Sequence, residues 1–165
     1  LMFEAAAAIK AQPAELQEKL QQMMGELRDL RHAVEKYKAK EAVGEADRIL
    51  FGAHDVGGLK VLTSVVPEAD ANKLRQMGDM IRSKADNAVA VLATVNGEKI
   101  TFLAVCGKEA VARGVKAGDI IKQVSAIAGG SGGGKPDSAM GGGSDLLKLD
   151  DALATVDDFV AEKLK

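Results

Sequence analysis

The sequence predicts an α/β chain: a long, coiled-coil-like N-terminal helix followed by a small mixed-sheet α/β domain. Three observations carry this expectation. Between Leu16 and Tyr37 apolar residues recur at alternating spacings of four and three, the seam of a coiled coil. Beyond Leu50, short β-branched runs alternate with amphipathic segments of helical period. Asn96-Gly97 then joins two apolar runs, and this pair favours a two-residue type I′ hairpin turn. The expected division is a helical subdomain over 1–50 and a globular α/β subdomain over 51–165.

Glu4 to Ala11 reads as a short helix, and Pro13 suits the first turn of the next, where its missing N–H would have no partner. The seam consists of Leu16, Leu20, Met23, Leu27, Leu30, Val34 and Tyr37, a rod of about 33 Å at ~1.5 Å per residue. It can lie on its own domain or on a partner helix. Its narrowness favours a partner, from elsewhere in the parent chain or from a second copy. Glu41 ends the pattern and Gly44 weakens the helix before Leu50. Val56-Gly57-Gly58 reads as a turn and Leu59–Val66 as a strand. Asp70 to Ala85 is a helix with Leu74, Met77 and Ile81 on one side and Asp70 as N-cap. Ala88–Val95 fits a strand buried on both faces, paired with Glu98–Cys106. Glu109 to Ala128 reads as a helix interrupted at Gly114 and Gly118. Asp150 to Leu164 closes the chain as an amphipathic helix with Leu153, Val156, Phe159 and Val160 inward.

A hydrophobic fraction of 47% over 165 residues allows one core without disulfides, with room for an appendage. Cys106 is the only cysteine, which suits a reducing cytoplasm, and zinc would need His32 and His54 to converge on it. No apolar run of about 18 residues is present, so no membrane span is expected. The opening LMFEAAAAIK lacks a basic region and carries Glu4, unlike a signal peptide. Without an initiating methionine the chain reads as a fragment of something longer. The net charge of −2 hides a gradient: −1 over residues 1–50, +2 over 51–143 and −3 over 144–165. Lys108, Arg113, Lys116, Lys122 and Lys135 form a modest basic patch.

That patch adjoins the stretch AIAGGSGGGKPDSAMGGGSDLLKL, where eight of the fifteen residues from Gly129 to Gly143 are glycine. Glycine tracts are commonly linkers. This one joins two helices that need the same core, contains the stiffening Pro136, and has its glycines in clusters. Gly129 can cap the preceding helix in the left-handed region. Gly130, Gly132, Gly133 and Gly134 can then aim successive N–H groups at one anion, with Lys135 adding a full charge. The tract lacks the phosphate-loop pattern, because Pro136 follows Lys135.

The stretch ARGVKAGDIIKQVSAIAGGSGGGKPDSAMGGG, Ala112 to Gly143, strongly resembles the C-terminal, DHH-associated domain of alanyl-tRNA synthetases. Val56-Gly57-Gly58-x-Lys60-Val61-Leu62 and the heptad helix support the resemblance, which spans essentially the whole chain. Ser131 stands where the family has a basic residue, and Met140 where it has glutamine. The resemblance implies a non-catalytic domain that binds the outer corner of an alanine-accepting tRNA and bridges aminoacylation and editing. The remaining synthetase domains would be its partners, and in some members the preceding helices form dimers. ATP, magnesium and an editing-site zinc are implied for the full-length family, none for this fragment. No class II synthetase signature and no HxxxH with a partner Cys-x-x-x-His occurs, so neither adenylate formation nor deacylation is expected of this chain alone.

Aromatics are scarce: Phe3, Tyr37, Phe51, Phe102 and Phe159. Single-strand readers stack bases on exposed aromatics, so shape and backbone recognition of a folded RNA suits this composition better. The candidate RNA contacts are Gly129, Gly130, Gly132, Gly133, Gly134 and Lys135, with Lys108, Arg113, Lys116 and Lys122 as surrounding charge. The alternative is the substrate-binding module of a DHH-type phosphoesterase or of a free-standing tRNA-editing protein. It would need a metal-ligand set upstream, and His54-Asp55 alone is not one.

Overall fold

A computed structural model describes residues 15–165. The expectations at Glu4–Ala11 and Pro13 lie outside the described residues. The chain divides into two compact units, Leu1–Lys40 and Glu41–Lys165.

The first described helix, α1, runs Leu16–Phe51. In the first unit every side chain from Gln17 to Lys38 is exposed. The seam residues Leu20, Met23, Leu27, Leu30, Val34 and Tyr37 are 43–75% exposed. Gly44, expected to weaken the helix, lies inside it with nothing within 4 Å of an added Cβ. Ala46, Ile49 and Leu50 pack into the core of the second unit and hold the segment helical despite Gly44. Gly44→Ala is therefore expected to stabilise the chain by about 1 kcal/mol, read as a melting temperature about 2–4 °C higher.

The second unit is a six-stranded mixed sheet in the order β1-β2-β3-β4-β6-β5. Its strands are β1 (His54–Val56), β2 (Leu59–Val65), β3 (Ala88–Asn96), β4 (Lys99–Cys106), β5 (Ser131–Gly134) and β6 (Ser138–Gly143). Only β2 and β3 pair in parallel, through the crossover helix α2 (Ala71–Lys84). Asp70 caps α2 as expected, its carboxylate accepting from the Lys73 N–H at 2.7 Å. Leu74, Met77 and Ile81 face the sheet. Strand β3 is apolar from Ala88 to Ala93, where both faces are covered. Val89, Val91 and Ala93 point to one core with Phe102, Ala104 and Cys106. Ala88, Ala90 and Leu92 point to the other, under α2. The first core is closed by α3 (Lys108–Ala112), α4 (Ala117–Ile127) and α5 (Leu149–Lys163). In α5, Leu153, Val156 and Val160 are buried and Phe159 half-buried, as the pattern predicts.

Three expectations need correction. Asn96 pairs with Lys99, so the tight turn is Gly97-Glu98 and not Asn96-Gly97. Gly97 has φ +64° and Glu98 is not in the left-handed region, which fits a type II′ turn with glycine first. The segment Glu109–Ala128 is broken into two helices at Gly114, as expected, with φ +91° there. Gly118, expected to interrupt it, lies inside α4. Last, the glycine tract is no loop: it forms the hairpin β5–β6 at the end of the sheet. Its glycines serve close approach. A Cβ on Gly132 would meet Ile121 Cγ2 at 2.5 Å, and one on Gly141 would run into Ser125 Oγ. Helix α4 thus lies directly on the hairpin backbone.

Candidate nucleic-acid interface

At one end of the sheet three backbone segments converge. Strand β4 ends at Cys106, helix α4 begins at Ala117, and the β5–β6 turn comprises Lys135, Pro136, Asp137 and Ser138. The Cys106 N–H donates to the Asp137 carbonyl at 3.0 Å and the Ala117 N–H to the Pro136 carbonyl at 2.8 Å. Across the turn, the Lys135 N–H donates to the Ser138 carbonyl at 2.9 Å. The turn is thereby fixed on both sides. Lys135 stands exposed on it, and exposed Lys116 and Lys108 sit at the helix starts beside it.

Beside the turn is a cleft of about 680 Å³ lined by Arg82, Ser83, Asp86, Lys108 and Asp137 among others. The Arg82 guanidinium is paired with Asp137 and, at 3.0 Å, with Asp79. Cys106 is buried here. Desolvation first, and the nearby Asp137 carboxylate second, push its thiol from an ordinary value of 9.0 up to about 12. The native state therefore keeps its proton where the unfolded chain has lost it, so stability falls as pH rises from about 9 towards 12. The expected slope from this group is at most about 1.4 kcal/mol per pH unit. Urea unfolding of Cys106→Ala across that window should show a shallower decline than the wild type; an identical decline would remove the thiol as its source.

The structure does not bring all the expected contacts together. Gly129, with φ +69°, caps α4 as anticipated, but its N–H donates to the Ala126 carbonyl, and that of Gly130 to the Ser125 carbonyl. With Lys135 bonded to Ser138, alternation along the ladder turns Gly133 inward to Met140 and leaves the N–H groups of Gly132 and Gly134 on the outer edge. The successive-amide nest is thus replaced by an extended strand with two outward N–H groups. Gly130 lies just before β5, five residues and about 16 Å from Lys135 at ~3.3 Å per residue, and Gly129 lies beyond it. Lys122 is exposed on α4, 4.0 Å from Asp119. Arg113 lies against the β1–β2 turn, where a Cβ on Gly58 would meet its Nη1 at 3.3 Å. Ser131 is exposed, whereas Met140 turns towards α2, its Sδ accepting from Arg75 Nε at 3.0 Å. Among the aromatics, Phe102 is buried, but Phe51 is 94% exposed at the end of α1. Sequence reasoning missed Arg82 and Asp137, which lie 55 positions apart; the KPD triplet was visible, its partner was not.

The chain belongs to the DHHA1 domain family, which residues 58–162 match. Its relatives are alanine–tRNA ligases: it is 41% identical to that of Methylobacillus flagellatus over 165 residues, covering 100% of this chain and 19% of the relative. Identity to the Thiobacillus denitrificans ligase is 40% over 161 residues, covering 98% and 18%. The crystal structure of the C-Ala domain from Aquifex aeolicus alanyl-tRNA synthetase superposes with a TM-score of 0.62 at 29% identity, covering 66% of this chain and 97% of that domain. The chain thus spans about a fifth of the length of these ligases.

Proposed function

We propose that this chain is the tRNA-holding C-terminal part of an alanine–tRNA ligase. It grips the outer corner of an alanine-accepting tRNA and so lets the aminoacylation and editing domains of the parent chain share one substrate in the cytoplasm. The observation that carries this reading is the exposed Lys135, held on a rigid turn beside Lys116 and Lys108. A fixed cluster of cations suits the fixed phosphates of a folded RNA better than those of a flexible strand. The whole-chain likeness to alanine–tRNA ligases favours it over the phosphoesterase or free-standing editing module. ATP, magnesium and zinc fall to other domains of the parent. Among the described residues no three His, Cys, Asp or Glu side chains gather to hold a metal ion, and no described helix is long and apolar enough to cross a membrane.

The test is tRNA binding across a salt series. Lys135→Ala is expected to weaken binding of an alanine-accepting transcript and to flatten the slope of log K against log salt by about 0.9, one phosphate contact. An unchanged slope would remove Lys135 from the interface.

A second role, self-association through α1, is favoured by the exposed stripe from Leu20 to Tyr37. Leu16 begins that seam by sequence. Pairing of two copies would bury the stripe knob-into-hole.

A further inference from the structure

We infer that Arg82 is a positioning residue for the basic turn, an assignment that rests on the RNA-binding reading above. Arg82 sits in the last turn of α2, on a different element from every candidate RNA contact. Its guanidinium is occupied on two sides: Nη1 donates to Asp137 and Nη2 to Asp79. The planar fork of arginine suits such bridging of two carboxylates, where a lysine would supply only a point charge. The cleft around it holds Asp79, Asp86 and Asp137, so the Arg82 guanidinium sits among carboxylates, two of which already occupy it. Arg82 therefore acts on the RNA through the turn and not by touching it. Asp137 is the residue through which it acts. The Asp137 side chain is held by Arg82, while its carbonyl accepts from the Cys106 N–H. Side chain and backbone together tie α2, β4 and the turn that carries Lys135. Releasing the side chain leaves the lysine free to sample orientations that the tRNA does not use.

The two carboxylate-side variants separate positioning from charge. Removing an acid beside an RNA face would, by charge alone, tighten binding. The positioning assignment requires the opposite sign: Asp137→Asn weakens it. The experiment measures affinity for an alanine-accepting tRNA transcript across salt concentrations, together with amide hydrogen exchange of the free chain. Arg82→Ala and Asp137→Asn are each expected to weaken binding about three- to fivefold, the scale of a partly exposed ion pair. The salt slope should stay at the wild-type value, and the double variant should bind no worse than either single one. The Cys106 and Ala117 amides, which donate to turn carbonyls, should exchange faster in both variants. Arg82→Lys should recover only part of the loss, and melting temperatures should stay within a few degrees of wild type. Tighter binding by Asp137→Asn, a slope lowered by about 0.9 in Arg82→Ala as for a direct phosphate contact, or unchanged exchange would each overturn the assignment. A wild-type chain that does not bind the transcript would overturn the RNA reading, and the assignment with it; retained binding with unchanged exchange would overturn the assignment alone.

Discussion

Gly132→Ala is expected to destabilise the second unit by about 3 kcal/mol, near the upper end of the usual cost of forcing extra volume into a packed site. A methyl group there would run into the Gly141 Cα and lie 2.5 Å from Ile121 Cγ2 and 2.8 Å from the Met140 carbonyl oxygen. Two of these are backbone atoms and cannot rotate away. Relief would require β5 to shift away from β6 as well as α4 to lift from the hairpin, exposing Ile121, Val124 and their neighbours in the first core. The neighbouring Gly133→Ala is the control, since its Cβ would have nothing within 4 Å. In a strand, alanine loses less conformational freedom than glycine, so this variant should be neutral or slightly stabilising. Urea midpoints of the two variants measure the contrast. Equal midpoints would mean that α4 does not rest on the glycine ribbon, and the account of why these positions lack side chains would fall.

Leu27→Glu is expected to dissociate the proposed α1 pair. Leu27 is 51% exposed in the single chain and sits mid-seam, so in a symmetric pair its replacement strikes both copies. Losing one leucine contact per copy costs about 2 kcal/mol or more. Two such losses raise the dissociation constant about a thousandfold, before any repulsion between the new carboxylates. Sedimentation at micromolar concentration should show the variant at half the wild-type mass, with tRNA binding per chain preserved. Equal mass for the two would sink the pairing.

The features legible in the sequence are those set by short-range chemistry. Asp70 caps α2 because a carboxylate two or three positions ahead of free N–H groups finds them wherever the chain goes. The apolar run of β3 announces a strand covered on both sides, since alternation of apolar and polar residues is unnecessary where both faces are dry. What could not be read depended on distant partners. The turn after β3 is displaced by one residue because its register with β4 places Asn96 opposite Lys99. The glycine tract has the composition of a loop, and strands are poor in glycine. The arrival of α4 on its face, with Ile121 against Gly132 and Gly141 and Ser125 against Gly141, explains why those two positions carry no side chain. The cation cluster is half legible: Lys135, Lys116 and Lys108 stand out in the sequence, but Arg82, which pairs with Asp137 of the turn, comes from α2, and Gly129 and Gly130 spend their N–H groups inside the fold.

The outer border of the sheet, Ser131–Gly134, has a further consequence for solubility. Open borders invite neighbouring molecules to zip on, and proteins guard them with lysine, proline or brevity. Here Lys135 and Pro136 stand one step past the border, and brevity does the rest. With Gly132 and Gly134 alone facing outward, an intruding strand would gain on the order of four hydrogen bonds at ~1 kcal/mol each. That is no more than the lower estimate, ~4 kcal/mol, for immobilising a free molecule. A hairpin lengthened by two or four residues would tip this balance and turn a quiet rim into a template for fibre growth.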